Sequence, residues 1–153
     1  MHVEGEPTEA EHATRLQISD LLHRYATAVD TKDWAKFRSC FTEDAETDYG
    51  VIGRWSDADA ITGFMADVHI GMGESLHMLH NIVVTLETPE RAGAVSYVHA
   101  VQVPAGEPDE WIDAVGQYVD EIVRTGGGWS IARRSFRLTR TITSHDLRPA
   151  HGS

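Results

Sequence analysis

The chain changes its hydrophobic period half-way along, and that change limits the folds open to it. Up to about residue 70, apolar residues recur every three or four positions, the spacing of helices with one buried face. From about residue 76 they alternate, the spacing of strands with one buried face. Helices first and a run of strands afterwards make an α+β domain whose sheet is mainly antiparallel. The 153 residues are enough for one domain with a true core.

The first half divides into three predicted helices. Thr8 and Glu11 form the capping box T-E-A-E and open a helix to about Val29. Ile18, Leu21, Leu22, Tyr25 and Val29 form its buried stripe. Asp33 caps a short second helix with Trp34, Phe37, Cys40 and Phe41, in which Cys40 reads as a small core residue. A short strand at 45–49 and a turn from Gly50 to Gly53 follow. Asp57 then caps a third helix with Ile61, Phe64, Met65 and Val68 turned inward, and 71–74 breaks it.

Four strands are predicted at 76–86, 92–103, 111–123 and 129–142. They are joined by ETPERAG, PAGEPDE and RTGGG, which are rich in turn residues. Strict alternation puts His77, Leu79, Asn81 and Val83 on one face, and Met78, His80, Ile82 and Val84 on the other. His77 and His80 therefore point apart, and no metal pair is expected of them. In the last strand the same rule groups Trp129, Ile131, Arg133, Ser135 and Arg137.

Charge excludes some functions. With 24 acidic against 13 basic residues the net charge is −11, the wrong sign for a nucleic-acid surface. A single cysteine gives no intrachain disulfide and no thiolate zinc site. No apolar run reaches the ~20 residues that span a bilayer. The opening MHVEGEPTEAEH lacks the pattern of a signal peptide, so a cytoplasmic protein is expected. Residues 1–7 are expected as an N-terminal tail, 8–145 as one domain and 146–153 as a C-terminal tail.

Asp30 ends the first helix and His77 opens the first long strand. They meet if that helix lies across the sheet. A carboxylate on one imidazole nitrogen fixes the tautomer and makes the other nitrogen a general base, without a metal. Phenols at Tyr25 or Tyr49 can protonate a leaving hydroxyl or hydrogen-bond an enolate. Arg137 can stabilise developing negative charge.

Several segments carry a family likeness: YATAVDTKDW, FTEDA followed by Tyr49, SLHMLH, and YVDEIVRTGGGW. From about Leu16 to Thr141 the chain resembles the SnoaL-like and scytalone-dehydratase-like group. The resemblance implies the cone-shaped α+β barrel of nuclear transport factor two, with three N-terminal helices on a curved sheet. In the scytalone dehydratase type the matching residues are Asp30, Tyr49 and His77, and the chain departs at Val29 and Ala105. In the bile acid 7α-dehydratase type Tyr25, Asp30, Tyr49 and His77 match, with departures at Ala100 and Leu138. In the hexachlorocyclohexane dehydrochlorinase type Asp30, His77 and Arg137 match, and Tyr25 replaces a lysine.

The expectation is a cofactor-free lyase, isomerase or cyclase acting on a small hydrophobic, cyclic molecule. His77, Asp30, Tyr25, Tyr49 and Arg137 form its catalytic set, and His99, Trp55, Phe64 and Tyr118 its substrate contacts. No metal, nucleic-acid or membrane partner is expected. A homo-oligomer is, with a trimer favoured over a dimer on the strength of the resemblance. The alternatives are a non-catalytic binding module and an assembly role through an exposed sheet face.

Overall fold

A computed structural model describes residues 5–146. The first helix, α1 (Glu9–Thr31), begins with the expected reciprocal cap. The Thr8 N–H donates to Glu11 at 2.7 Å and the Glu11 N–H to the Thr8 hydroxyl at 3.2 Å. It stops at Lys32, whose left-handed backbone (φ 54°) turns the chain into α2 (Trp34–Ser39), capped by Asp33. Strand β1 (Phe41–Asp48) follows, then a 3₁₀ turn (Gly50–Ile52), the two-residue β2 (Arg54–Trp55) and α3 (Ala58–Val68), capped by Asp57. Four long strands complete the chain: β3 (Met72–Thr88), β4 (Arg91–Pro104), β5 (Ile112–Thr125) and β6 (Gly128–Thr143).

The six strands form one sheet in the order β2-β1-β6-β5-β4-β3. All neighbours are antiparallel except β1 and β6, which run parallel. The sheet is curved and unclosed, and the three helices pack on its inner side, giving the cone-like α+β architecture that was expected. Helix α1 runs antiparallel along β3 and is tied at both ends. The Arg15 guanidinium donates to the Val84 carbonyl, and the Lys32 ammonium to the Met72 carbonyl. Those ties bring the last turn of α1 over the start of β3. Ile18, Leu22, Phe37, Ile61, Ile122 and Ile131, all fully buried, centre the core between helices and sheet.

Two β-bulges change which residues face inward. Alternation along β3 holds from Ser75 to Leu79. The register then shifts between His80 and Val83, where Asn81 takes a positive φ of 49°. Beyond it Ile82, Val84 and Leu86 face the core and Val83 is 62% exposed, the reverse of strict alternation. In β6 the register shifts opposite Glu121 and Ile122, making Ala132 the extra residue. Trp129 and Ile131 face inward before it; Arg134 and Phe136 face inward after it. Arg133 and Arg137 are consequently on the exposed side, not with Trp129 and Ile131.

The β5–β6 pairing also needs a glycine. A Cβ on Gly116 would lie 2.3 Å from the Arg137 carbonyl oxygen and 2.9 Å from the Phe136 ring. Backbone cannot yield as a flexible side chain can. Gly116→Ala is expected to cost ~1–3 kcal/mol through overpacking, read as a lower denaturant midpoint with unchanged slope.

Candidate functional site

Asp30 sits in the last turn of α1, where the helix dipole disfavours a negative charge and no basic residue accompanies it. What holds it there is the start of β3. The His77 backbone N–H donates to both carboxylate oxygens, at 2.8 and 3.1 Å, and the Ser75 hydroxyl donates at 3.1 Å. The His77 side chain closes the arrangement, with Nδ1 2.7 Å from Asp30 Oδ1. Both side chains are largely shielded, His77 9% and Asp30 19% exposed. A carboxylate is an acceptor only, so Nδ1 carries a proton, and in the neutral ring Nε2 is the basic nitrogen. The imidazole lines a cavity of about 240 Å³ between helices and sheet.

The cavity exists because small residues stand where the core would otherwise fill. His77 pairs with Ala100 across β3 and β4, and Ala100 pairs with Ala114 across β4 and β5. This row gives the imidazole open space beside it. Val29, Phe64, Met65, Val98 and Phe136 supply most of the apolar wall.

A phenol cluster forms another wall. The Tyr25 and Tyr49 hydroxyls are 2.8 Å apart, and the Tyr25 and Tyr118 rings meet edge to face at 5.7 Å. All three tyrosines line the cavity. Burial pushes the Tyr49 and Tyr118 phenols well above their ordinary range, so both stay protonated at neutral pH. Two joined hydroxyls share one hydrogen bond and keep one O–H proton for a ligand.

Behind the phenols lies a buried ion pair. Arg134 and Asp120 are bidentate at 2.7 and 2.8 Å with no exposed side-chain surface. The guanidinium lies against both the Tyr25 and the Tyr118 ring, 4.1 and 3.9 Å from their centroids.

A family model, the SnoaL-like domain, matches residues 10–135. The chain belongs to the SnoaL-like family. It is 31% identical over 129 residues to the uncharacterized protein Rv2910c of Mycobacterium tuberculosis, covering 82% of this chain and 85% of that one. A candidate aromatic-ring hydroxylase of Novosphingobium aromaticivorans superposes with a TM-score of 0.79 at 30% identity, over 88% of this chain and 96% of the other. Hexachlorocyclohexane dehydrochlorinase LinA-type3 of Novosphingobium barchaimii gives 0.76 at 19% identity, over 93% and 95%, a likeness of fold.

In this SnoaL-like protein the cavity gathers His77, Tyr25, Tyr49, Phe64 and Tyr118 of the expected set, with Asp30 bonded behind the imidazole. Three expected residues lie elsewhere. Arg137 is exposed, because the bulge at Ala132 gives the inward position to Arg134. His99 belongs to the outer face of β4, where its Nε2 lies 3.1 Å from Asp113; Val98 and Ala100 on either side of it take the cavity face. Trp55 stacks behind Phe64 at 4.3 Å and lines a neighbouring cleft of about 510 Å³. In that cleft the charges pair with one another, Arg133 with Glu46 at 2.8 Å and Arg54 with Asp48 at 3.1 Å.

Four residues of this site escaped the sequence reading: Ser75, His69, Gln102 and Arg134. His69 caps the C-terminus of α3, where its Nδ1 lies 2.8 Å from the Met65 carbonyl. Its Nε2 lies 3.0 Å from the Gln102 amide nitrogen. Burial lowers its pKa from the ordinary 6.5, with the nearby His77 and Lys32 adding to the shift and Asp30 and the Met65 bond opposing it. A histidine depressed in the folded state favours folding fully above its unfolded pKa. That contribution drains away as pH falls from ~6.5 toward the folded value, with a slope of at most about 1.4 kcal/mol per pH unit. His69→Phe is therefore expected to flatten the loss of stability between pH 7 and 5, measured as denaturant midpoints across that range.

Proposed function

We propose that this protein is a lyase or isomerase that removes a proton from carbon in a small hydrophobic, cyclic molecule, with His77 as general base. The observation that carries the reading is the 2.7 Å Nδ1–Asp30 contact on an imidazole at the wall of a largely apolar cavity. Asp30 holds the tautomer and stabilises the imidazolium as it forms. Nε2 takes the proton from a carbon beside a carbonyl or a leaving group. The Tyr25–Tyr49 pair donates a hydrogen bond to the enolate oxygen or to a departing hydroxyl. General-base help of this kind contributes ~10²–10⁴ in rate.

The names carried by similar structures range over hydroxylation and dehydrochlorination, and one fold hosts many reactions, so the residues of the site decide between them. The cavity is smaller than the ~300–1,000 Å³ typical of ligand sites, which favours a compact mono- or bicyclic substrate.

The test is hydrogen–deuterium exchange at the carbon next to the carbonyl, followed by mass in D₂O for a panel of cyclic ketones. Exchange above buffer that disappears in His77→Gln is the expected result. Tight binding of panel members with no exchange would instead make the protein a binding module and end the lyase reading.

A further inference from the structure

We propose that Gln102, oriented by His69, is a specificity-determining residue of the cavity and selects ligands that carry a hydroxyl group on an otherwise apolar frame. The inference rests on the cavity being a ligand site, as in the function proposed above. It does not depend on which bond is broken there.

The orientation follows from one carbonyl. Met65 O can only accept, and it lies 2.8 Å from His69 Nδ1, so Nδ1 carries the proton. His69 is 5% exposed, and burial keeps its ring neutral. Its Nε2 is then a bare lone pair. The group 3.0 Å from that lone pair must donate, which makes it the NH₂ of Gln102 rather than the oxygen. Turning the amide over would set Oε1 against the lone pair. Gln102 Oε1 is thereby fixed as an acceptor, and no hydrogen-bond partner takes it among the described residues.

The setting makes this acceptor count. Gln102 lines the cavity, and it stands two positions along β4 from Ala100, the partner of His77. Such diagonal neighbours have Cα atoms about 7–8 Å apart. A ligand whose reacting carbon lies against His77 therefore brings its far side to the amide. A hydroxyl there donates to Oε1. A methyl ether at the same place offers only lone pairs and leaves both acceptors facing each other. An unsubstituted ring leaves Oε1 without a donor. His69 acts through Gln102 and is a positioning residue.

Binding of three flat probes to the full chain tests this: naphthalene, 2-naphthol and 2-methoxynaphthalene, titrated calorimetrically. Wild type is expected to bind 2-naphthol at least ~10-fold tighter than its methyl ether, the worth of one well-placed hydrogen bond. Gln102→Met keeps the length of the side chain and removes the acceptor, and should narrow the ratio to less than ~3-fold. His69→Phe keeps a ring against Trp34 but frees the amide to rotate, and should narrow it as well. Equal affinities in wild type, no binding of 2-naphthol up to its solubility limit, or a preference that survives in Gln102→Met would each overturn the proposal. Deuterium exchange and probe preference are separate readouts. Loss of the first with the second intact sinks the base alone, and the reverse sinks the selectivity alone.

Discussion

Replacing His77 with glutamine is expected to lower turnover by ~10²–10⁴ while leaving the cavity and the fold in place. Glutamine can still reach Asp30 with an amide N–H, so the helix-to-strand tie persists through the backbone bonds that the carboxylate already accepts. What disappears is the basic lone pair. Asp30→Asn should be nearly as damaging for a different reason. The carboxylate accepts from three donors, the Ser75 hydroxyl, the His77 N–H and the His77 ring N–H. An amide has one oxygen, so its NH₂ confronts a donor whichever way it is turned. Either a backbone bond is lost, or the imidazole moves its proton to Nε2 and ceases to be a base. Steady-state rates on any exchanging ketone check both variants. A His77→Gln protein that retains more than a tenth of wild-type activity would remove the imidazole from the mechanism.

The second large effect is on stability. Asp120→Ala is expected to cost ~3–5 kcal/mol, because it leaves the Arg134 charge buried without its carboxylate. For a domain of this size that is a fall in Tm on the order of 10–20 °C. Replacing both partners together, as Asp120→Leu with Arg134→Met, should cost much less, since no orphan charge remains. The double variant also removes the cation that touches both the Tyr25 and Tyr118 rings, so it separates the pair's support of the phenol wall from its part in folding. If Asp120→Ala melts within a few degrees of wild type, the Arg134 charge does not depend on this carboxylate. The comparison is made by calorimetry on the two variants and each single replacement.

Much of this arrangement is legible in the residues. The change of hydrophobic period, the caps at Thr8, Asp33 and Asp57, and the placement of Asp30 and His77 all follow from local rules that the tertiary structure leaves in force. Arg137 shows where those rules end. One extra residue at Ala132 exchanges the faces of β6, and nothing in the composition of the strand announces it. A signal for Arg134 did exist. Period 2 groups Tyr118, Asp120 and Ile122 on one face, so an acid stands among core residues and calls for a buried cation, and one of the adjacent Arg133 and Arg134 must face it. His69 offers no such clue. It lies beyond the last periodic turn of α3, and its role depends on a glutamine 33 positions away.

The imidazole tautomer is the most direct test of the central claim. Nitrogen-15 NMR of histidine-labelled protein, with the His77 signals assigned by their loss in His77→Gln, reports which ring nitrogen holds the proton. The result expected is a neutral ring with a slowly exchanging proton on Nδ1 and a bare Nε2. A ring protonated on Nε2, or one averaging rapidly between tautomers, would contradict it.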